Sequence, residues 1–489
     1  MSFLKYVSSY SIGIIISRIL GFIRDLLFAR TIGTGLIADI FFISFRLPNV
    51  FRSIFAEGAF SSAFLPIYSS SKYKKTFANN TYSLLILFML GLCIIAEIFM
   101  PSILQFIAPN FLGNYDTITL VARIMFPYIF FLSITSLFTA ILQANKHFAI
   151  ISLTYTILNI CLIISLVICY IFPSSNHLIY LACTVIIAGF LQLLWVGYLC
   201  KHLVFEVFFV KPRISQEIHT LYTRILPSIL SASVYQVNVL VDTVFITSYA
   251  GATSFFYYAD RFNQLPIALI GISISTVLMP LISDKSKGYI SSSLNKAFAF
   301  AILLIIPTTI GLYMIAENVI RVFLVNNKFS INDAYHTALI LKILCLSLPA
   351  VILNKIMLSV YFSYGNTKTP LYCSIIAMLT NVCLDIALIH KYHYTGIAIA
   401  TIISVWINFL LLLFKLHKKY NVLQVNDLLI RTITAVLISS IGLIITLQLL
   451  MIYIPQPGYL GILSIVAISV LVYFTMASCI LHKYIPSLM

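Results

Sequence analysis

Runs of about twenty mostly apolar residues dominate the chain, and short breaks rich in Lys, Asn, Pro or Gly separate them. A transmembrane helix needs ~20 predominantly apolar residues, so each run predicts one membrane-spanning helix. Fourteen spans are predicted, over residues 7–29, 34–56, 80–106, 118–143, 148–171, 177–200, 222–249, 262–283, 294–316, 334–361, 370–390, 394–416, 428–453 and 458–481. The pattern therefore predicts an all-α polytopic membrane protein.

The composition agrees with this fold class and excludes a soluble protein. Of the 489 residues, 61% are hydrophobic and only 9% are charged, whereas soluble domains carry about 25% charged residues. The net charge is +16, but the basic residues are scattered rather than gathered in one stripe, which argues against a nucleic-acid partner. Anionic lipid headgroups, or an anionic substrate inside the bilayer, fit this charge better.

Two further features of the sequence narrow the class of protein. The nine cysteines show no CxxC or Cys/His metal spacing and fall mostly within apolar runs, so we expect neither disulfides nor a metal centre. The first apolar stretch contains Arg18, Arg24 and Asp25 and lacks a small-residue cleavage site. It is therefore interpreted as a first membrane helix rather than a cleavable signal peptide.

The basic residues of the loops set the predicted orientation. An even number of spans places both termini on one side of the membrane. The loops on that side hold most of the lysines, with clusters at 72–75 and 415–419, whereas the opposite loops hold few basic residues, chiefly Arg30, Arg321, Lys328 and Lys391. Because cytoplasmic loops carry an excess of Lys and Arg, both termini are predicted to be cytoplasmic.

An internal repeat links the two halves of the chain. Residues 91–97 (GLCIIAE) recur as 311–317 (GLYMIAE), and Asn159-Ile-Cys-Leu recurs as Asn381-Val-Cys-Leu, each at an offset of about 220 residues. Further pairs keep the same order and a similar offset: Asp25 and Asp242, Pro48 and Pro266, Pro66 and Pro280, Pro127 and Pro349. The shared order and the near-constant offset indicate a duplicated unit of six spans.

A repeat with an even number of spans predicts two parallel lobes related by a pseudo-twofold axis along the membrane normal. We place the N-lobe at 1–210 and the C-lobe at 211–422. Spans thirteen and fourteen, at 423–489, form an appendage with almost no intramembrane charge. Transporters built from such repeats bind substrate between the halves. A duplicated channel or a purely structural scaffold is the alternative.

The first two spans hold charges that a bilayer makes costly, at least ~2.5–3.5 kcal/mol each at mid-depth. Helical spacing puts Arg18 on one face with Asp25, and Asp39 on one face with Arg46. One interpretation is that these two pairs only hold helices together. This interpretation does not account for three other arginines: Arg24, Arg52 and, from the second half, Arg261. A guanidinium binds phosphate through two parallel hydrogen bonds, so the arginines point to a substrate that bears phosphate or carboxylate.

The second half offers oxygen ligands instead of arginines. Asp242 lies inside span seven, Asn381 and Asp385 lie one turn apart on span eleven, and Thr401 on span twelve could add a hydroxyl. Such a set suits a hard cation such as Na⁺, or a protonatable carboxylate pair that carries H⁺. The alternative is a polar contact between helices with Asp385 simply protonated.

Four segments of the first half resemble one known family. Ser17–Asp25 (SRILGFIRD), Ala38-Asp39, Arg46–Asn49 (RLPN) and Arg52 with Glu57–Pro66 (EGAFSSAFLP) are similar to the signature of the MurJ (MviN)-type lipid II flippases. These belong to the multidrug/oligosaccharidyl-lipid/polysaccharide exporter superfamily, and the resemblance covers essentially the whole chain.

The resemblance implies transport of the undecaprenyl-diphosphate-linked peptidoglycan precursor, lipid II, from the inner to the outer leaflet. It implies that Arg18, Arg24, Arg52 and Arg261 line a central cavity and meet the diphosphate, while Asp25 and Asp39 organise them. It also implies a groove for the polyprenyl tail on spans thirteen and fourteen. Some family members resemble sodium-binding transporters at the positions of Asp242, Asn381, Asp385 and Thr401.

We expect alternating access rather than enzymatic chemistry. The chain has no GxxxxGK[ST] loop for ATP, so the membrane potential or a Na⁺ or H⁺ gradient is expected to drive the cycle, with no other cofactor. Lipid II and membrane lipids are the expected partners of a monomer. The rivals are a multidrug antiporter of the same fold, an exporter of another polyprenyl-linked glycan, and a membrane enzyme acting on the same lipid.

Overall fold

The computed structural model describes residues 3–53, 59–109, 111, 114–172, 176–282, 287–420 and 426–482. In these ranges the chain forms helices joined mostly by short turns, with a longer non-helical segment at 204–215 between two of them. The first are α1 (Phe3–Thr31), α2 (Leu36–Phe51), α3 (Ala59–Ser70), α4 (Lys74–Ile107), α5 (Tyr115–Met125), α6 (Tyr128–Ala144), α7 (Phe148–Ile171), α8 (His177–Leu203) and α9 (Gln216–Ile246). There follow α10 (Ala252–Pro266), a π-helical stretch (Ile267–Ile272), α11 (Ser273–Ile282), α12 (Lys287–Leu324), α13 (Ile331–Cys345), α14 (Leu348–Ser363), α15 (Lys368–Tyr420), α16 (Asp427–Tyr453) and α17 (Tyr459–Leu481).

The apolar helices make this a membrane protein. Within the described ranges, eight helices or helix pairs are long and apolar enough to cross a bilayer, and the bent pair α13–α14 would be a ninth. They include α16 and α17, whose bounds differ from the predicted spans 428–453 and 458–481 by one residue or none. The count of fourteen spans stays a prediction.

Two predicted spans are each broken at a matched proline. Residues 118–143 were predicted as one helix but form α5 and α6, with Pro127 immediately before α6. Residues 334–361 likewise form α13 and α14, bent by 43°, with Pro349 in the first turn of α14. Because proline has no N–H and tolerates only the first turn of a helix, it ends the preceding helix in both copies of the repeat.

Predicted spans eleven and twelve meet at a sharp kink. The long helix α15 contains both, and His393 interrupts it with φ 52° and ψ −142°, in the short break between 390 and 394. Beyond the kink the backbone passes close to itself, since a Cβ at Gly396 would lie 2.8 Å from the carbonyl oxygen of Leu388. Only glycine fits this approach.

The chain divides into two compact units, Met1–Ser254 and Phe255–Met489. The first unit includes α9, which packs against α3 and α4 although the sequence assigns it to the second lobe; the boundaries at 210 and 422 stay predictions. Its core contains an aromatic stack in which the ring of Phe64 lies 5.3 Å from the rings of Tyr68 and Phe77.

Two buried tyrosines of the second unit donate their hydroxyl groups to backbone carbonyls of the same unit. The hydroxyl of Tyr361 donates to the carbonyl of Leu412 at 2.8 Å, and that of Tyr473 on α17 donates to the carbonyl of Leu303 on α12 at 2.9 Å. A buried hydroxyl without such a partner would carry a desolvation cost. These bonds tie α14 to α15 and α17 to α12.

Helix α8 packs closely against α6 at Gly189. A Cβ at this position would lie 2.6 Å from the ring of the fully buried Tyr128. We expect Gly189→Val to lower the free energy of unfolding by about 1–3 kcal/mol, because overpacking a core forces side chains out of their rotamers. The thermal midpoint of the purified protein in detergent measures this. The control is Gly91→Val on α4, which has no atom within 4 Å of the added Cβ; equal midpoints for the two variants would contradict the prediction.

Candidate functional site

Arg24 on α1 has its guanidinium buried between an acid and an amide. Its Nε and Nη2 donate to Oδ1 of Asp25 at 3.0 and 2.7 Å, and its Nη1 donates to Oδ1 of Asn159 on α7 at 2.9 Å. Arg24 is 9% exposed and Asp25 is 5% exposed. Buried charges are stable only when paired and hydrogen-bonded, because removing them from water is costly. We call Arg24, Asp25 and Asn159 the α1–α7 cluster.

The predicted pairing within α1 is wrong. Helical spacing favoured Arg18 as the partner of Asp25 and left Arg24 over, but Asp25 forms its ion pair with Arg24 at 2.7 Å, and Arg18 lies exposed. The flexible side chain of Arg24 instead reaches the carboxylate of the adjacent residue. Periodicity describes where Cβ atoms point and not how far a long side chain reaches.

Asp39 fixes the turn between α9 and α10 instead of pairing with Arg46. Its carboxylate accepts from the backbone N–H groups of Gly251 and Ser254, both at 2.8 Å, and from the hydroxyl of Ser254. These donors lie at and just before the start of α10, so a carboxylate there satisfies N–H groups that the helix itself cannot. Asp39 is therefore a buried helix cap supplied from α2.

Arg46 reaches another partner on α9. Its Nη1 donates to the hydroxyl of Thr243, which in turn donates to the carbonyl of Val239 one turn earlier. Arg46 and Asp39 therefore do not form the mutual pair that helical spacing predicted. Both residues instead connect α2 to α9 and to the turn that follows it.

Arg52 and Arg261 lie in different units. Arg52 is half-buried immediately after α2, and its backbone N–H donates to the carbonyls of Pro48 and Asn49. Arg261 lies on α10 in the second unit, with its guanidinium carbon 4.4 Å from the ring centroid of Tyr257, a distance typical of a cation–π contact. Glu57, part of the family signature, lies outside the described residues.

A second polar cluster forms within α15, where Asn381, Asp385 and Ser404 meet across the kink. Nδ2 of Asn381 donates to Oδ2 of Asp385 at 2.9 Å, and the hydroxyl of Ser404 donates to Oδ1 of Asn381 at 3.1 Å. Asn381 and Asp385 are fully buried. The donor set is carboxylate, amide and hydroxyl oxygen, which fits a hard cation such as Na⁺. We call these three residues the α15 cluster.

The other two predicted ligands lie differently. Thr401 directs its hydroxyl to the carbonyl of Ile397 on its own helix at 2.9 Å, so the hydroxyl that reaches Asn381 comes from Ser404, three residues later. Asp242 lies on α9 in the first unit, where its Oδ2 accepts from Nδ2 of Asn238 at 3.3 Å. In the described part of the chain no three His, Cys, Asp or Glu side chains gather as metal ligands would.

Sequence reasoning missed the two residues that complete these clusters. The sequence pattern identified Asn159 only as a matched position of the repeat, and it predicted no role for Ser404. The repeat contained a usable signal, because Asn159 and Asn381 are matched positions and each proves to be the amide at the centre of a buried cluster. Ser404 carried no signal beyond its place one turn from Thr401.

Comparison with solved structures identifies the fold as that of a class of membrane transporters. A multidrug resistance MATE family transporter of the MOP superfamily, solved in an inward-facing conformation, is similar with a TM-score of 0.65 over 82% of this chain and 98% of that one, at 14% sequence identity. A lipid II flippase MurJ in an inward closed conformation is more similar, with a TM-score of 0.82 and 27% identity over 97% of this chain and 99% of that one.

The sequence comparisons give the family. The family model for "Lipid II flippase MurJ" matches residues 28–480. The probable lipid II flippase MurJ of Buchnera aphidicola subsp. Acyrthosiphon pisum is 33% identical over 93% of this chain and 92% of its own length. The chain belongs to the MurJ family of lipid II flippases. The family resemblance of the four segments in its first half is confirmed.

Proposed function

We propose that this protein is a lipid II flippase, which moves the undecaprenyl-diphosphate-linked peptidoglycan precursor from the inner to the outer leaflet of the bacterial cytoplasmic membrane for cell-wall synthesis. The observation that carries the proposal is the buried guanidinium of Arg24, held by Asp25 and by Asn159 on α7 in a chain that belongs to this family. The role is that of a transporter and not of an enzyme.

The charge of the first two helices suits a diphosphate. From residue 18 to residue 52 the chain holds five arginines and two aspartates, so the segment stays cationic after its two acids are counted. A sugar–peptide headgroup with a diphosphate cannot cross hydrocarbon without a large desolvation cost. Arginine replaces part of that hydration through paired N–H···O bonds to phosphate oxygens. We propose that Arg18, Arg24, Arg52 and Arg261 contact the headgroup, with Asp25 and Asp39 as their supports.

The proposed cycle is alternating access by the two six-span lobes. The membrane potential supplies ~2.3 kcal/mol per charge per 100 mV, which is enough to bias such a cycle. We keep fourteen spans, a monomer and two cytoplasmic termini in the proposal; reporter fusions at each terminus test the topology.

Arg24→Ala and Arg52→Ala should each abolish growth when the chain replaces the flippase of a depleted bacterial strain, because each removes a cation from the proposed diphosphate site. Viable counts after depletion measure this, with immunoblots to show equal amounts of protein in the membrane. The matched control is Arg431→Ala, whose exposed ion pair with Asp427 on α16 lies outside the site and should be dispensable. Full growth with both variants would remove the arginines from the mechanism.

The last helix offers a place for the polyprenyl tail. A pocket of about 590 Å³ lies along α17, lined by Ala467, Val470, Leu471, Phe474, Thr475 and Ser478. Its lining is mostly apolar and uncharged, as contact with a hydrocarbon chain requires. We propose that the tail lies here while the headgroup crosses.

Leu471→Asn should reduce lipid II transport, because an amide in this pocket must be desolvated against the tail. The control is Leu463→Asn on the same helix: both leucines are 64% exposed, but Leu463 does not line the pocket. Transport by the purified variants in liposomes that contain lipid II measures the difference. Equal rates for the two variants would place the tail elsewhere.

We propose that a monovalent cation couples to transport at the α15 cluster, with Thr401 on the same helix as a further candidate ligand. The side chains of this cluster, Asp385, Asn381 and Ser404, place carboxylate, amide and hydroxyl oxygens close together in a buried position. This donor set supports Na⁺ as the coupling ion, and a proton bound by Asp385 is the second candidate.

Sodium chloride should raise the thermal midpoint of the purified protein relative to choline chloride, because a ligand that binds only the folded state stabilises it. Asp385→Asn should abolish this difference, whereas Asp427→Asn, at an exposed ion pair, should keep it. Equal midpoints of the unsubstituted protein in the two salts would exclude the sodium site, and a transport rate that follows pH alone would then assign the site to H⁺.

A further inference from the structure

Asn159 is the one member of the α1–α7 cluster that comes from outside α1. Its side chain is 7% exposed and makes two hydrogen bonds, both to α1. Oδ1 accepts from Nη1 of Arg24, and Nδ2 donates to the backbone carbonyl of Ser17, each at 2.9 Å. One buried amide therefore holds both the backbone of α1 and its buried cation.

The two bonds fix which way the amide faces. A carbonyl oxygen can only accept, so the bond to Ser17 requires the NH₂ group on that side and leaves the oxygen towards Arg24. The opposite orientation would place NH₂ against a guanidinium, donor against donor. The backbone of α1 thus sets the direction in which Asn159 presents its acceptor.

The neutral charge of Asn159 is as important as its position. Asp25 holds Nε and Nη2 of Arg24 through one carboxylate oxygen and balances its charge. Asn159 holds the remaining nitrogen without adding a second negative charge. An aspartate at this position could still accept from Arg24, but it would make the cluster anionic and would repel a phosphate.

We propose that Asn159 is a positioning residue for transport, which orients the guanidinium of Arg24 towards the diphosphate of the substrate from α7. The inference rests on the proposed function and adds to it a residue that touches no substrate.

Binding of undecaprenyl diphosphate to the purified full-length protein tests the proposal. Asn159→Ala should weaken binding about tenfold, the value of one hydrogen bond to a charged group, and Asn159→Asp should weaken it further because of its charge. Binding of undecaprenol, the uncharged analogue, should stay unchanged in both variants. A merely structural role would lower both affinities together or neither, and either result would overturn the proposal.

Thr156→Val is the matched control, since Thr156 is buried one turn earlier on α7 and its hydroxyl has no hydrogen-bond partner in the described residues. It should bind undecaprenyl diphosphate as the unsubstituted protein does. The thermal midpoints of all variants identify any that fail to fold, and Asn159→Gln, which keeps the amide, should recover part of the lost affinity.

A double-mutant cycle separates positioning from an independent effect. If Asn159 acts through Arg24, then Asn159→Ala should change affinity little once Arg24→Ala is present. Additive losses would contradict the proposal. If the unsubstituted protein binds neither lipid II nor undecaprenyl diphosphate, the proposed function itself fails; if it binds both and the Asn159 variants bind equally well, only the role of Asn159 fails.

Discussion

The cost of keeping a charge away from water governs the first unit of this protein. A guanidinium that is buried away from water persists only if its N–H groups find acceptors, and Arg24 finds them in Asp25 and Asn159. Those acceptors come from two helices that are more than a hundred residues apart in the chain. The same bonds that stabilise the charge therefore also fix α1 against α7.

The two halves of the chain share matched prolines and asparagines, but the charged partners of the asparagines are of opposite sign. Matched prolines break the fourth predicted span in each half, and matched asparagines, Asn159 and Asn381, each lie at the centre of a buried cluster. In the first half the amide accepts from an arginine, and in the second it donates to Asp385. The matched asparagines thus contact a buried guanidinium in one half and a buried carboxylate in the other.

The sequence predicted helices far better than it predicted contacts between them. The bounds of α16 and α17 follow from long apolar runs with charges only in the first turns of α16, so apolar length decides them. Contacts depend on side-chain reach and on kinks, which periodicity does not contain. Arg24 rather than Arg18 pairs with Asp25, because its long side chain reaches the adjacent carboxylate. Ser404 rather than Thr401 contacts Asn381, because the kink at His393 changes the direction of the helix between them.

Exposure of lipid II on the outer surface of the membrane tests the central claim most directly. In a strain whose flippase is depleted, an added enzyme that cleaves lipid II only from outside measures how much precursor has crossed. Expression of this chain should restore cleavage to the level of undepleted cells. Precursor that accumulates on the inner side at the same level with and without the chain would contradict the account.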